Sequence, residues 1–523
     1  MKKWLKRLSV TILGIVVFLF LFLLEERFRG QISLARFKKT LAAQGEKIRA
    51  SDFALPVSKG ENGIPTIVQA LRELKPGALL PETYPSKMEL LPSGHAVVGF
   101  RAKEWVFDNI TNSWEALALE WKTNEAILLR IRDALEKPVL NSELDYSQGY
   151  NLLIPNLSSS KKLSSWFGSG SELALHEGNN RNALERLLPQ IRLPHLMESD
   201  RLAISELVRV ALASIAKSAT WEALQADSWT GEDLRKIQSA WESQEFINSA
   251  STGFQRELAY EDASYNLMRN SNEDTFKVLF EWKNVFGDED WDPPAWEKLL
   301  NNLPYGDDIV EFLRNLSYGG EVAKFLRKQI FCRLWRFSWS HQHQLRSAKQ
   351  IHRLLEITRA LAKGKSFSGV SEAIEEFTKE AERRNFYDAL RFPESSSYLV
   401  LSKVIKKAAR AQTDRSTAIC AVALQRYALR NGKFPQSLDL LVPEFLASIP
   451  TDYFDGGPMK YFLNADGTFT LYSVGEDGQD NQGNSSLVSG KSGRSIWDRK
   501  DAVWPAPATP EEVAAFRTQA AKK

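Results

Sequence analysis

The chain has 523 residues, 43% hydrophobic and 25% charged, enough to bury more than one core, and about 150 residues per domain suggests roughly three units. Its 68 basic and 65 acidic residues leave a net charge of +3, too small for the electrostatic footprint of a nucleic-acid binder. Two cysteines, Cys332 and Cys420, sit in helical apolar patterns and read as small hydrophobes in a chain large enough to need no disulfide staple.

Leu8 to Leu24 carries no charge and reaches the lower length limit for a membrane helix. Glu25-Glu26-Arg27 stand where a cleaved signal would have small residues, so the segment reads as an uncleaved anchor. Lys2, Lys3, Lys6 and Arg7 before it favour a cytoplasmic N-terminus, which makes this a single-pass inner-membrane protein with its bulk in the periplasm.

Residues 25–112 read as a juxtamembrane helix, Arg27 to Arg49, followed by a mixed linker region. Pro56, Gly60, Gly63 and Pro65 mark extended loop, and His95 to Phe100 is a short strand candidate. From 113 to 410 the pattern is amphipathic helix, expected to form a large irregular α-helical domain. Leu202, Ile204, Leu207, Val210, Ala211 and Ile215 predict one apolar face. Thr230 predicts an N-cap, with Glu232 and Asp233 in the first turn and Trp229 and Leu234 as a hydrophobic staple. Two stretches predict loops that could divide this region: Ser158 to Ser171, whose Gly168-Ser169-Gly170-Ser171 reads as a flexible linker, and the acidic Gly287 to Pro294.

Residues 411–504 read as a small α+β domain. A helix ends at Asn431-Gly432, and two strands meet at a two-residue Asp466-Gly467 turn needing positive φ, so the expectation is a helix laid on a small antiparallel sheet. The tail, 505–523, carries a short helix opened by Thr509-Pro510-Glu511-Glu512. The fold class expected is therefore mainly α, with an N-terminal transmembrane helix, a large α-helical domain and a small α+β C-terminal domain.

The order Gly432-Lys433-Phe434-Pro435, Pro450-Thr451-Asp452, Gly457-Pro458-Met459-Lys460-Tyr461 and Tyr472-Ser473-Val474-Gly475-Glu476-Asp477-Gly478 resembles the globular domain of the type II secretion major pseudopilin. The whole chain also resembles bacterial membrane-anchored proteins of uncharacterised role that carry that domain. The first resemblance implies calcium, bound through Asp477, Asp480, Asp501 and the Val474 carbonyl, with neutral oxygens from Asn481 and Asn484. Unlike a pseudopilin, the chain has its apolar helix nearly four hundred residues before the domain and no Gly ahead of it, which argues for a borrowed module rather than a filament subunit.

Other chemistry is thin. His341, His343 and His352 lack the i, i+4 spacing of a helical zinc site. Asp288 to Asp292, flanked by Trp291 and Trp296, reads as a solvated turn rather than a glycosidase pair, and Trp335 with Trp339 as core packing. No catalytic residue emerges from the sequence. The leading expectation is a non-enzymatic envelope scaffold or interaction partner linked to protein secretion. The alternative is an envelope hydrolase with its site in a groove of the α-helical domain, which a converged carboxylate pair in one pocket would favour.

Overall fold

The computed structural model describes residues 2–53, 61–75, 77, 79, 88–107, 110–154, 156–200, 202–281, 321–382, 385–393 and 397–520. The chain is mainly helical, with two small antiparallel sheets, which matches the expected class. Helix α1 (Lys2–Ala43) runs unbroken through the apolar segment and beyond it. Its residues 8–22 are exposed, with Phe20 and Phe22 meeting Phe337 and Tyr387 at the edge of the body, and the helix is long and apolar enough to cross a membrane. Past Leu24 the same helix joins the body. Glu26 is buried and receives the Gln342 side-chain amide, and Leu34 and Leu41 enter the core.

Helix α2 (Ile64–Glu73) has Pro65 in its first turn, so this proline opens a helix instead of marking loop; its fixed φ suits that position. His95 to Phe100 is not a strand. Ala96 makes single bridges to Leu90 and Pro507, and Gly99–Arg101 closes into a 3-10 turn whose Phe100 amide donates to the Glu222 carboxylate rather than to a ladder. Strands β1 (Trp105–Phe107) and β2 (Ile110–Asn112) form a hairpin instead.

Six helices follow: α3 (Trp114–Leu135), α4 (Asn156–His176), α5 (Asn180–Arg192), α6 (Ala203–Ala223), α7 (Gly231–Glu242) and α8 (Ile247–Asn270). The stretch expected as a linker is inside α4. Its small residues serve close packing: a Cβ on Gly170 would stand 2.6 Å from Trp121 Cε2, and one on Gly168 would stand 2.7 Å from Gln190 Nε2. The capping box at Thr230 and Asp233 is present, and Trp229 and Leu234 are both buried. Helix α6 is buried over more than its expected face: Leu202 is buried, and Leu207 and Val210 pack against the cores as expected. Val208, Leu212, Ala213 and Ala216 enter the core, whereas Ile204 is exposed and Ile215 faces the cleft described below. The reason is that its charged residues are also buried: Arg209 bonds Glu206 and the Glu245 carbonyl, and Lys217 pairs with Asp414 at 2.6 Å.

Helix α9 (Asn272–Phe276) ends this run; the acidic 287–294 loop, with Trp291 and Trp296, lies outside the described residues. Helices α10 (Glu321–Leu326) and α11 (Cys332–Ser338) are joined by a π-helical turn at Arg327–Phe331. Then come α12 (Ser340–Ala362), α13 (Phe367–Glu382), α14 (Phe386–Arg391) and α15 (Ser397–Asn431). Trp335 and Trp339 are buried as core residues, and Cys332 and Cys420 are buried free thiols.

The boundary read near residue 411 falls inside α15, which is buried on almost every side from Ala408 to Leu424. One core joins Trp221, Trp229 and Trp241 of the helical region to Met459, Leu471 and Trp504. The C-terminal sheet has order β3 (Lys460–Leu463), β4 (Phe469–Ser473), β5 (Ala502–Val503), all antiparallel, with Lys460 opposite Tyr472 and Tyr472 opposite Val503. Its hairpin turn is longer than the expected two residues. Gly467 N–H donates to Asn464 O and Asn464 N–H to Thr468 O, so Ala465, Asp466 and Gly467 form a three-residue loop with only Gly467 at positive φ. Helix α16 (Pro510–Ala520) closes the described chain, capped by Thr509 and Glu512 as expected.

Candidate active-site cleft

A cleft of about 580 Å3 opens where α4 and α6 meet the 88–106 segment, the 487–499 loop and α16. Two glutamates form part of its wall. Glu172 lies near the end of α4 and Glu222 near the end of α6, and both converge on Gly99. A Cβ there would stand under 3.0 Å from Glu172 Oε1 and 3.4 Å from Glu222 Oε1, so the backbone reaches both carboxyl groups only because residue 99 has no side chain. Phe100 N–H donates to Glu222 Oε1 at 2.8 Å.

Burial pushes the Glu172 carboxyl up to about 7, against the opposing hydrogen bond of the Trp105 indole. Glu222 is raised well above the usual range, first by burial and then by the neighbouring Glu172 charge; the Phe100 and Gly99 amides and Arg101 pull the other way. Both carboxyl groups therefore keep their protons to higher pH than an exposed glutamate does, the condition for a carboxylic acid to serve as a proton donor.

The rest of the wall is polar. Ser169 is 1% exposed and Gln190 is 1% exposed, and Ser169 Oγ and Gln190 Oε1 have no protein partner. Arg499 donates to Leu91 O and Ser485 O, both at 2.7 Å, and so fastens the 485–499 loop to the 88–106 segment at the cleft. His95 bonds Glu512 at 2.8 Å, which brings α16 over the cleft with Phe516 and Arg517 on its wall.

Sequence reasoning missed Glu172 and Glu222. The available trace is weak: each ends a face of small residues on its helix, Gly168 and Ser169 before Glu172, Ser218 and Ala219 before Glu222. Nothing in the linear order says that these faces meet.

The proposed calcium residues are arranged differently. Asp501 is fully buried, and its carboxylate accepts from three backbone amides, Asn481 at 3.2 Å, Gly483 at 2.8 Å and Asn484 at 3.0 Å, as well as from the Asn481 side chain. An ionised carboxylate has about four lone-pair sites, so these bonds fill it. Asp480 is exposed and accepts from the Tyr472 hydroxyl and Gln482 N–H. Asp477 is exposed and closes its own turn on Gln479 N–H. Val474 is buried, with its N–H on Asp452 Oδ2. Asn484 Oδ1 accepts from Ser486 N–H. Asp480 and Asp501 thus hold one loop by hydrogen bonds, Asp477 stands apart from them in a separate turn, and a hard cation needing six to eight open oxygens does not fit this arrangement.

Among the described residues, the acidic and histidine side chains that do converge as a trio are Glu46, His352 and Glu356. Arg359 bonds both oxygens of Glu46, and Gln255 adds a third contact, so this is an ion-paired clasp between the end of α1 and α12. His343 lies in an aromatic nest of Tyr265, Trp335 and Phe392, each ring centre 5.6 Å away. Comparison of the chain with family models, with curated proteins and with solved structures finds no match.

Proposed function

We propose that this protein is a membrane-anchored hydrolase that cleaves a glycosidic bond of a hydroxyl-rich substrate in the α4–α6 cleft, with Glu222 as general acid and Glu172 as nucleophile. The observation that carries this reading is the convergence of the two carboxyl groups on Gly99. Glu222 gives its proton to the leaving-group oxygen as the Glu172 carboxylate attacks the sugar carbon and the bond to that oxygen breaks. Water, giving a proton to Glu222, then displaces Glu172 from the sugar carbon, so the net reaction adds one water across the bond; two carboxyl oxygens that meet at one backbone position leave no room between them for the water of a single displacement. Ser169 Oγ and Gln190 Oε1 supply hydrogen-bonding positions for substrate hydroxyls.

The test uses the full chain in detergent against chromogenic glycosides and isolated envelope glycans. Turnover should rise as pH increases through about 7, where Glu172 becomes the ionised nucleophile, and should fall at least about 100-fold in both Glu172→Gln and Glu222→Gln. Turnover no greater than that of the double variant on every substrate would overturn it.

A second reading, a scaffold linked to protein secretion, draws on α15 followed by the β3–β4–β5 sheet, the order that the pseudopilin resemblance of residues 411–504 implies. Deletion of the gene should then impair export through a type II system, and unchanged export would exclude it. In both readings the span sits in the inner membrane with its N-terminus cytoplasmic, supported by the four cations before Leu8. A C-terminal phosphatase fusion should be active outside the cytoplasm and resist carbonate extraction.

A further inference from the structure

The order of contacts along α1 shows which end of the body faces the apolar segment. Glu46 meets Arg359, Phe37 meets His352, Gly30 meets Gln342, and Phe20 stacks on Phe337 with ring centres 6.4 Å apart. Residues along α12 and α11 thus track α1 in register, and α11 reaches the level of the last turns of the apolar stretch. Arg27, just beyond that stretch, sits 4.8 Å from the centre of the same Phe337 ring, so the apolar-to-polar boundary of α1 coincides with α11.

On α10 and α11, Phe325, Ile330 and Leu334 are exposed at 61%, 52% and 40%. An α-helix would scatter residues five apart, but the π-helical turn Arg327–Phe331 widens the spiral, so Phe325 and Ile330 share a face, and Leu334 follows one turn later. Lys324 and Arg333 are exposed on the same segment. Apolar side chains flanked by cations, beside a helix of membrane-crossing character, match the chemistry of an anionic bilayer interface.

We infer that α10 and α11 form a membrane-docking surface, with Phe325, Ile330 and Leu334 inserted at the lipid interface beside α1 and Lys324 and Arg333 on its headgroups. This rests on reading α1 as a membrane span. Docking adds a second attachment that fixes the tilt of the body, and so the direction in which the cleft opens, relative to the membrane.

The full chain is reconstituted into nanodiscs containing one-third anionic lipid, with single fluorophore labels at Val16→Cys, Ile330→Cys, Leu334→Cys and Lys379→Cys; the native thiols are buried. Lipids carrying a nitroxide at the shallow acyl position should quench the labels at 330 and 334 several-fold more than the label at 379. In Lys324→Glu/Arg333→Glu that difference should shrink. A quenched Val16 label with 330 and 334 no different from 379 would overturn the docking surface while leaving the span intact. An unquenched Val16 label would overturn the span reading itself, and the docking surface with it.

Discussion

Glu172 and Glu222 come from different helices, α4 and α6, yet their carboxyl oxygens close on one backbone position, Gly99, with the Phe100 amide bound to one of them. The arrangement stores proton affinity. Burial raises that of both groups, and the Glu172 charge raises Glu222 further.

Stability should therefore depend on pH through Glu172. Its folded-state value, about 7, lies above the ordinary 4.5, so its contribution is fully present below pH 4.5 and is lost as pH rises through about 7. Glu172→Gln should match the wild type at pH 4 and be more stable at pH 9, by about 3 kcal/mol at most. Denaturant melts of both proteins across this range check it, and parallel curves would show that Glu172 titrates normally.

Gly170→Ala tests whether the Ser/Gly-rich stretch is packed helix. The added methyl would meet the rigid Trp121 indole, whose N–H already bonds Trp166 O at 3.0 Å, so the substitution should destabilise by about 1–3 kcal/mol. In a flexible linker the same change would be neutral.

Asp501→Ala leaves three loop amides without their acceptor and should destabilise the protein by about 3 kcal/mol. Because the Asp501 lone pairs are occupied, millimolar calcium should leave the melting temperature of the wild type unchanged. A calcium-dependent rise that disappears in Asp477→Asn would reinstate the metal site.

A fragment from Ser402 to Ala508 should lack a cooperative melt. Removing the rest of the chain exposes the face of α15 that packs on α6 and α7, together with Met459, Leu471 and Trp504, which share their core with Trp221 and Trp241. Circular dichroism against temperature decides this, and a sharp transition would show that the C-terminal region folds by itself.

The sequence alone determined features written in neighbouring residues. The exposed apolar run of α1, the Thr230 capping box, the Thr509 cap and the β3–β4 hairpin each depend on side chains within a few positions of one another, so local chemistry suffices to specify them. Where local signals were ambiguous, tertiary contact decided. Ser158 to Ser171 has the composition of a linker, but Trp121 and Gln190 reward its small side chains with close packing, and it becomes helix. Lys217 and Asp414 would mark a solvated face in any single helix, yet 197 positions apart they neutralise each other inside the core, so the apolar pattern of α6 misreports its burial. The cleft belongs wholly to this second class. Convergence of Glu172, Glu222 and Gly99 is a property of three chain segments brought together by folding, and raised proton affinity arises from the burial that folding imposes on both and from the Glu172 charge it sets beside Glu222.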